Sequence, residues 1–301
     1  MIKLTAIIVT VKKDKHLLKT CLVSLDKSVK HAGADINYLI VANGTVIRKE
    51  EYPATGVSIL KLKKNAGFGP AVNSAMKKVE SDWVIIVCPD VITGKSCLNE
   101  ILPFSLDTTA GIIAPLVRLK DKRIQKTILP VPSIKEIFIE SSYLYRLLPA
   151  LFKSPLSDNS FYKRTGKVGA VAAIWWLVRK EAFQKAGGFD NRFFLYFEDV
   201  DLCCRMRKSG YDLIFAHRAE ALHLPHQSTG GKTDGRLYLI SLKRFLRKYY
   251  GKNTSAFAII IFAIGSYLRF FYWLFIYLTG RNLNTRKTAV DKLFFFKSMA
   301  S

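Results

Sequence analysis

The run LTAIIVTV at residues 4–11 is the stretch that indicates the fold class. It is apolar and rich in β-branched residues, as expected for a buried strand. Runs of the same kind follow at residues 38–41, 57–62 and 83–87. Helical patterns lie between them at residues 17–30 and 69–79. Because strands that alternate with helices form parallel β-α-β units, the sequence predicts an α/β fold with a Rossmann-type, mixed or parallel sheet flanked by helices.

Size and composition are those of a folded protein. Of the 301 residues, 50% are hydrophobic and 23% charged, enough for a domain of about 200 residues with an appendage. The N-terminal apolar run is followed at once by lysines and shows no small-residue cleavage site, so we expect a first strand rather than a signal peptide. The five cysteines include no C-x-x-C pair, which predicts free thiols in a reducing compartment.

The chain carries a net charge of +24, which usually indicates a polyanionic partner. From Lys232 onward there are thirteen Lys and Arg against two Asp, beside the longest apolar run of the sequence. A basic excess next to an apolar helix favours a membrane surface over nucleic acid. We therefore expect a membrane partner and no nucleic-acid partner.

Polar residues follow the predicted strands where each of them ends. They are Thr10, Asn43, Asn65 and Asp90. Ligands of open α/β sheets bind outside the carboxyl ends of the strands, so the chemistry is expected there. The turn around Gly67 opens a helix that contains Asn73, and a turn without side chains lets a diphosphate approach free backbone N–H groups.

A second polar cluster occurs in GGFDNRFFLYFEDVDLCCR, residues 187–205. It places Glu198, Asp199 and Asp201 within four positions. Carboxylates this close repel one another, which raises a pKa and suits a proton acceptor. The alternative is a salt-bridged helix N-terminus, with arginines one turn later.

This acidic string resembles the signature of family-2 glycosyltransferases, especially the rhamnosyltransferase-like branch. The resemblance covers roughly residues 4–230: residues 7–10 resemble the first strand of the family, residues 41–45 the second, and residues 65–73 its glycine-rich turn. It implies a GT-A-like catalytic domain over residues 1–230, followed by a basic, membrane-associated helical tail over residues 231–301.

The resemblance also implies roles for the clustered residues. Asp199 would be the general base of an inverting transfer, while Glu198 and Asp201 shape the pocket. Asp90 stands where the family keeps a metal-binding acid, as a reduced D-x-D motif for Mg²⁺ or Mn²⁺. The donor-binding residues would be Thr10, Asn43, Asn65, Gly67, Asn73 and Asp90.

Two further pairs of residues are candidates with structural alternatives. His223 or His226 could add a ligand to the metal at Asp90, although a lone histidine is more often structural. Trp175 or Trp176 could stack on a sugar of the acceptor, with core packing as the alternative for at least one of them. Both tryptophans follow a small-residue segment that matches the family.

Ala42 departs from the family pattern. The family usually has an acid here, which contacts the donor base. A neighbouring acceptor such as Asn43 could replace that contact, or the chain could bind a nucleotide or saccharide without catalysis. The two competing hypotheses are therefore an active transferase and a catalytically silent binding protein on the same fold.

Residues 256–279 form a largely apolar stretch, about 36 Å long as a helix against a hydrocarbon core of roughly 30 Å. Arg269 lies in its middle, and basic residues flank both ends. An in-plane or re-entrant helix fits this pattern better than a single span. Residues 236–252 read as an interfacial helix, and a buried helical pair is the alternative.

The sequence thus predicts an inverting glycosyltransferase on the cytoplasmic face of the cell membrane. It would move a sugar from a nucleotide-diphosphate donor to a hydroxyl of a saccharide or lipid-linked acceptor in polysaccharide synthesis. Rhamnose is suggested by the family resemblance alone. The nucleotide, the acceptor and the oligomeric state are left open.

Overall fold

The computed structural model describes residues 2–11, 15–52, 56–142, 151–152, 154–156, 158–224, 235–279 and 283–300. Packing divides the chain into two units. The first comprises Met1–Leu129, Asn159–Phe194 and Glu198–Gly231. The second comprises Pro130–Asp158, Leu195–Phe197 and Lys232–Ser301. Among the described residues, 130–142 and 195–197 therefore belong to the same unit as the C-terminal helices, whereas the sequence-based boundary at residue 230 places them in the catalytic region.

The strands, in chain order, are β1 (Lys3–Thr10), β2 (Asp35–Asn43), β3 (Val57–Leu62), β4 (Trp83–Val87), β5 (Val91–Thr93), β6 (Ala110–Leu119), β7 (Ile128–Leu129), β8 (Gly166–Lys167), β9 (Ala170–Val171), β10 (Trp175–Arg179) and β11 (Asp212–His223). The helices are α1 (Lys15–His31), α2 (Phe68–Met76), α3 (Cys97–Ile101), α4 (Ile134–Ser141), α5 (Lys180–Lys185), α6 (Glu198–Lys208), α7 (Gly235–Thr279) and α8 (Leu283–Ala300). Short 3₁₀ turns occur at Lys49–Glu51, Leu102–Leu106 and Asn159–Tyr162.

The main sheet of the first unit is mixed, which confirms the predicted α/β class. Its order is β3-β2-β1-β4-β10-β6-β11-β5, with β8 paired to β11. Strands β1 to β4 are mutually parallel, whereas β10 runs antiparallel to both β4 and β6. In the parallel half, Ile8 pairs with Ile40 on one side and with Val87 on the other, so the carboxyl ends of these strands meet at one edge.

The parallel strands are buried along almost their whole length. In β1, every residue from Leu4 to Thr10 is buried, and all five residues of β4 are buried as well. Sheets covered on both faces need continuous apolar strands instead of alternating ones, which is the pattern seen in the sequence. Leu18 and Leu25 of α1 complete the core on one face.

The second unit is helical in its described part. Helix α7 leaves helical geometry at Gly251, where φ is 78° and ψ is 178°. Its later part packs against α4 and α8. A side chain on Gly265 would overlap Ser141 of α4, so a glycine is required for this close approach. Trp273 of α7 forms a small apolar core with Ala289 and Phe296 of α8.

Candidate active site

The glycine-rich turn is held in place by the side chain of Asn43. This buried amide donates from Nδ2 to Asn65 Oδ1 at 3.0 Å and to the carbonyl oxygen of Gly67 at 3.1 Å. Its Oδ1 accepts a hydrogen bond from the N–H of Ala66 at 2.9 Å. The side-chain amide of Asn43 therefore forms these hydrogen bonds only with residues of the turn. Asn43 supports the predicted donor site by fixing the loop, while Asn65 lies exposed at its tip.

Gly67 needs its glycine for two reasons. Its φ is +89°, a conformation that L side chains rarely adopt. A Cβ at this position would also lie 2.6 Å from the carbonyl oxygen of Phe194. The turn that begins α2 thus packs directly against the aromatic run that precedes the three clustered carboxylates.

Asn73 joins α2 to the acidic signature. Its Nδ2 donates to the carbonyl oxygen of Phe189 and to Asn191 Oδ1, both at 2.8 Å, and its Oδ1 accepts from the N–H of Phe189 at 2.9 Å. These bonds use both donors of the amide and one lone pair of its oxygen. Asn73 therefore positions the signature segment, and its predicted contact with the donor stays a prediction.

Asp90 and His223 lie together at the carboxyl ends of β4 and β11. The carboxylate of Asp90 is buried, and its Oδ1 lies 3.3 Å from His223 Nε2. His223 Nδ1 lies 2.7 Å from Gln125 Oε1, which fixes the imidazole ring. The structure thus brings together two of the three predicted metal ligands, while His226 falls outside the described residues.

A carboxylate oxygen and an imidazole nitrogen are donors that suit Mn²⁺, and the carboxylate alone suits Mg²⁺. Within the residues that the structure describes, no group of three or more His, Cys, Asp or Glu side chains could hold a metal ion. A divalent ion here would have to complete its coordination with phosphate oxygens and water. The Asp90–His223 pair fits such an open site.

The three clustered carboxylates at the start of α6 have different environments. Asp201 is fully buried and Glu198 is 6% exposed, whereas Asp199 is only partly buried. Asp199 accepts hydrogen bonds from the N–H of Val200 at 2.8 Å and from the N–H of Ala173 at 3.3 Å. Asp199 is therefore the member of the cluster with the best access to a substrate hydroxyl.

Burial and mutual repulsion perturb the first two acids. Burial, with the charge of Asp199 added, raises the pKa of Glu198 from 4.5 to about 8. Burial also raises the pKa of Asp199, against the opposing effect of the N–H groups of Val200 and Ala173. A carboxylate with a raised pKa is a better proton acceptor than a free one.

Asp201 has a structural role, as the salt-bridge alternative predicted. The Nε and Nη2 groups of Arg205 both donate to Asp201 Oδ2, at 2.8 and 2.7 Å. Arg205 also donates to the carbonyl oxygens of Ala186 and Gly188. The pair therefore closes the turn that leads into the acidic signature.

Asp201→Asn is expected to destabilise the protein by about 3 kcal/mol, because it leaves the charge of Arg205 poorly compensated in a buried site. The melting temperature should fall by about 6 °C. The matched control is Glu181→Gln, which breaks an exposed i,i+4 bridge to Lys185 and should cost less than about 1 kcal/mol. Equal effects in thermal unfolding would contradict the structural role of Asp201.

Cys88 connects the Asp90 region with the carboxylate cluster. Its Sγ lies 3.6 Å from the carbonyl oxygen of Ala173, the residue whose N–H binds Asp199. Burial raises the pKa of this thiol, and the nearby charges of Asp90, Glu198 and Asp199 raise it further. The charges of all three acids thus act on one thiol.

Trp175 and Trp176 are packing residues, which corrects their predicted contact with the acceptor. They are 1% and 0% exposed, so neither ring offers a face to a sugar. Trp175 Nε1 donates to Thr93 Oγ1 at 3.0 Å, and Trp176 stacks on Phe189 with an interplanar angle of 5°. Apolar burial explains both aromatic residues.

The strand ends next to the turn are also buried. Ala42 is 0% exposed and pairs with Thr10 in β1 and with Lys61 in β3. Thr10, predicted to contact the donor, is 5% exposed. The position at which the family usually carries an acid therefore presents only a methyl group.

Glu198→Gln is expected to change the pH dependence of stability. The pKa of the wild-type carboxyl is 4.5 in the unfolded chain and about 8 in the folded protein. Its contribution to the free energy of unfolding is therefore fully present below pH 4.5 and is lost as the pH rises through 8. The glutamine does not titrate, and at pH 8 the variant should melt a few degrees higher than wild type. The melting temperatures of wild type and Glu198→Gln are compared from pH 4.5 to 8 with EDTA present. A difference between the two proteins that stays constant over this range would contradict the raised pKa.

Comparison with known proteins places this fold and site in a family. Residues 3–251 match the family model described as glycosyltransferase like family 2. The chain belongs to this family, and the resemblance inferred from the acidic signature is confirmed.

Two curated relatives share the rhamnosyltransferase name. The N-acetylglucosaminyl-diphospho-decaprenol L-rhamnosyltransferase of Mycobacterium tuberculosis is 32% identical over 197 residues, which cover 60% of this chain and 62% of the relative. Rhamnosyltransferase WbbL of Escherichia coli is 25% identical over 167 residues, 53% of this chain and 61% of the relative. The chain thus spans about three fifths of the length of these relatives.

Solved structures confirm the GT-A type of fold. A mannosyltransferase from Pyrobaculum calidifontis, in complex with GDP-Man and Mn²⁺, superimposes with a TM-score of 0.61 at 11% identity over 99% of this chain and 85% of its own. GalNAc-T7 with UDP, GalNAc and Mn²⁺ gives a TM-score of 0.58 at 13% identity over 98% of this chain and 56% of its own. At such identities the likeness concerns the fold alone.

Proposed function

We propose that this chain is an inverting glycosyltransferase that moves a sugar from a nucleotide-diphosphate donor to a hydroxyl group of a lipid-linked saccharide. The observation that carries the proposal is the position of Asp199. Asp199 is a partly buried residue whose pKa is raised by burial, and its charge and that of Asp90 both act on the thiol of Cys88. Family membership supports the reaction class.

Asp199 is proposed as the general base. Its Oδ1 and Oδ2 are oriented by the N–H groups of Val200 and Ala173. In the reaction, the carboxylate takes the proton of the acceptor hydroxyl as that oxygen attacks the anomeric carbon, on the face opposite the departing nucleotide diphosphate. The new glycosidic bond forms as the bond to the diphosphate breaks, so the configuration inverts.

Asp90 and His223 are proposed to hold a divalent cation. When bound, the cation would offset the charge that develops on the diphosphate. Gln125 fixes the ring of His223. The N–H of Gly67 donates to Asn65 Oδ1, and Asn43 Nδ2 donates to the carbonyl oxygen of Gly67, so the turn is held rigid where α2 begins. The fold neighbours that were solved with Mn²⁺ support this assignment.

The acceptor is proposed to be lipid-linked and the enzyme to act at the cytoplasmic face of a membrane. The mycobacterial relative is named for an N-acetylglucosaminyl-diphospho-decaprenol acceptor, which is a lipid-linked saccharide. The names of both rhamnosyltransferases indicate rhamnose as the sugar. In the described residues, one helix, α7, is long and apolar enough to cross a membrane. An anchored enzyme would meet an anchored substrate.

A thermal-shift panel tests the donor half of this proposal. UDP, dTDP, GDP and CDP are each added with and without Mn²⁺ to detergent-solubilised protein. Stabilisation by one of these nucleotides that depends on Mn²⁺ would support the proposal and identify the donor class. If none of them shifts the melting temperature, the donor half of the proposal fails.

The burial of Ala42 favours one competing function, a binding protein without catalysis. This position offers no carboxylate to the donor base, and Asn43 is committed to the turn. Such a protein would bind a nucleotide or saccharide in the same place but show no turnover. A transfer assay separates the two functions.

A further inference from the structure

Helix α7 presents a continuous apolar stripe after its break at Gly251. Its members recur every three or four residues and are about half exposed or more: Phe257, Ile260, Ile264, Leu268, Phe271, Phe275 and Leu278. At 1.5 Å per residue, the stripe is roughly 32 Å long. Contiguous apolar surfaces of this size mark a site of interaction.

The opposite face of the same helix is covered by protein. Ala258, Phe262, Gly265 and Trp273 are buried, and Gly265 lies against Ser141 of α4. Arg269 is also on this side, where its guanidinium lies over the rings of Phe262 and Phe296 at 5.3 and 5.2 Å from the ring centroids and donates to Ser266 Oγ at 3.0 Å. The arginine in the middle of the apolar run is therefore turned away from the stripe.

Helix α8 runs beside this part of α7, and it is charged. Its Phe296 contacts Arg269, while Ala289 packs on Trp273. Between and beyond these contacts α8 exposes Arg286, Asp291, Lys292 and Lys297. If α7 spanned a bilayer, α8 would enter the hydrocarbon with it, at about 2.5–3.5 kcal/mol for each charge near the centre.

Charge identifies the surface that fits the stripe. Helix α7 contains no acidic residue, and Lys243, Arg247 and Lys252 are exposed just before the stripe begins. Tyr267, Tyr272 and Tyr277 are exposed on the same part of α7, where their hydroxyl groups can reach a headgroup layer. An apolar stripe bordered by cations and tyrosines is complementary to one leaflet of an anionic bilayer.

We propose that the part of α7 from Lys252 to Thr279 lies in the plane of the membrane, with its stripe in one leaflet and α8 on the aqueous side, and does not span the bilayer. This inference rests on the proposed membrane association and specifies how it occurs. It concerns the second unit alone. Its tests measure lipid binding and labelling, so they are independent of whether sugar is transferred.

Flotation of the full chain with vesicles tests the stripe. One set contains equal parts of phosphatidylcholine and phosphatidylglycerol, and the other phosphatidylcholine alone. Wild type should float with the anionic vesicles, more weakly at high salt, and the triple variant Ile264→Ser, Phe271→Ser, Phe275→Ser should bind roughly 100-fold more weakly. The matched control is Val23→Ser, Val46→Ser, Leu106→Ser, which alters exposed apolar residues of the first unit and should float like wild type.

Two outcomes of flotation would overturn the proposal. One is unchanged lipid binding by the stripe variant. The other is a wild-type dimer that the stripe variant dissociates, without vesicle binding by either protein, which would make a second copy of the chain the occupant of the stripe.

Labelling from each side of the membrane tests the topology. Lys252→Cys and Thr279→Cys are expressed separately in bacteria, and a membrane-impermeant maleimide is applied to spheroplasts and to inverted inner-membrane vesicles, with wild type as the background for the natural cysteines. Both positions should label in the same preparation. Labelling of the two positions from opposite sides would show a spanning helix and overturn the proposal.

Discussion

Asp199→Asn is expected to lower the rate of sugar transfer by about 100- to 10,000-fold, the contribution of a positioned general base. The amide is nearly isosteric with the carboxylate but cannot accept the proton of the acceptor hydroxyl. Nucleotide binding should be retained, because Asp199 contacts Val200 and Ala173 rather than the glycine-rich turn. Thermal stability at pH 8 should not fall, because the variant removes a charge that repels Glu198.

The matched control for this variant is Asp35→Asn. Asp35 is an exposed residue at the start of β2, and its carboxylate accepts from the neighbouring N–H of Ile36. In wild type, the transfer rate should increase as the pH rises through the pKa of Asp199, which lies above the ordinary 3.8, because only the ionised form is a base. Transfer by Asp199→Asn at the wild-type rate would rule out the assignment.

Asp90→Asn is expected to abolish the dependence of nucleotide binding on Mn²⁺. The carboxylate is the anionic member of the Asp90–His223 pair, and replacing it leaves only neutral donors for the cation. Affinity for the nucleotide in the presence of Mn²⁺ should fall by at least about 100-fold, since a bound cation contributes several kcal/mol. Isothermal titration with each nucleotide measures the change.

Two comparisons make the Asp90 result specific. With EDTA present, wild type and Asp90→Asn should bind the nucleotide equally weakly, whereas a general loss of folding would weaken the variant further. Gln125→Ala, which frees the ring of His223, should weaken Mn²⁺-dependent binding by roughly 10-fold, as loss of an outer partner of a ligand does. A Mn²⁺ effect of wild-type size in Asp90→Asn would place the metal elsewhere.

The parallel half of the sheet could be predicted closely from the sequence. The run at residues 83–87 coincides with β4, and the run at 57–62 with β3. Strands covered on both faces must be apolar throughout, so their signal is local and strong. The antiparallel placement of β10 between β4 and β6 depends on packing between distant segments, and no local pattern indicates it.

The clustering of the site residues was predictable, but several of their roles were not. Asp90 and Asp199 follow rules about strand ends and crowded carboxylates, which operate on neighbouring residues. Asn73 donates hydrogen bonds to Phe189 and Asn191, which lie 116 and 118 positions later in the chain. Gln125 lies in an irregular stretch and contacts His223, which is 98 positions away. A hydrogen bond between distant segments leaves no pattern in a single sequence, so these supporting residues emerge only from the fold.

The roles of the two tryptophans could not be predicted from the sequence, for a different reason. An aromatic pair beside a candidate site fits a sugar platform and a packed core equally well. What decides between them is the direction of each ring, and both Trp175 and Trp176 point into apolar surroundings. Burial of the side chain, which the sequence does not specify residue by residue, settled the question.

The central claim is that this chain transfers a sugar with inversion, and a transfer assay on the purified protein tests it most directly. Rhamnose linked to a nucleotide diphosphate is supplied together with a polyprenyl-diphospho-saccharide acceptor, with Mn²⁺ or EDTA, and the anomeric configuration of the lipid-linked product is determined by NMR. The account predicts a product that requires Mn²⁺ and has the anomeric configuration opposite to that of the donor. Retention of configuration, or nucleotide binding without turnover, would contradict it.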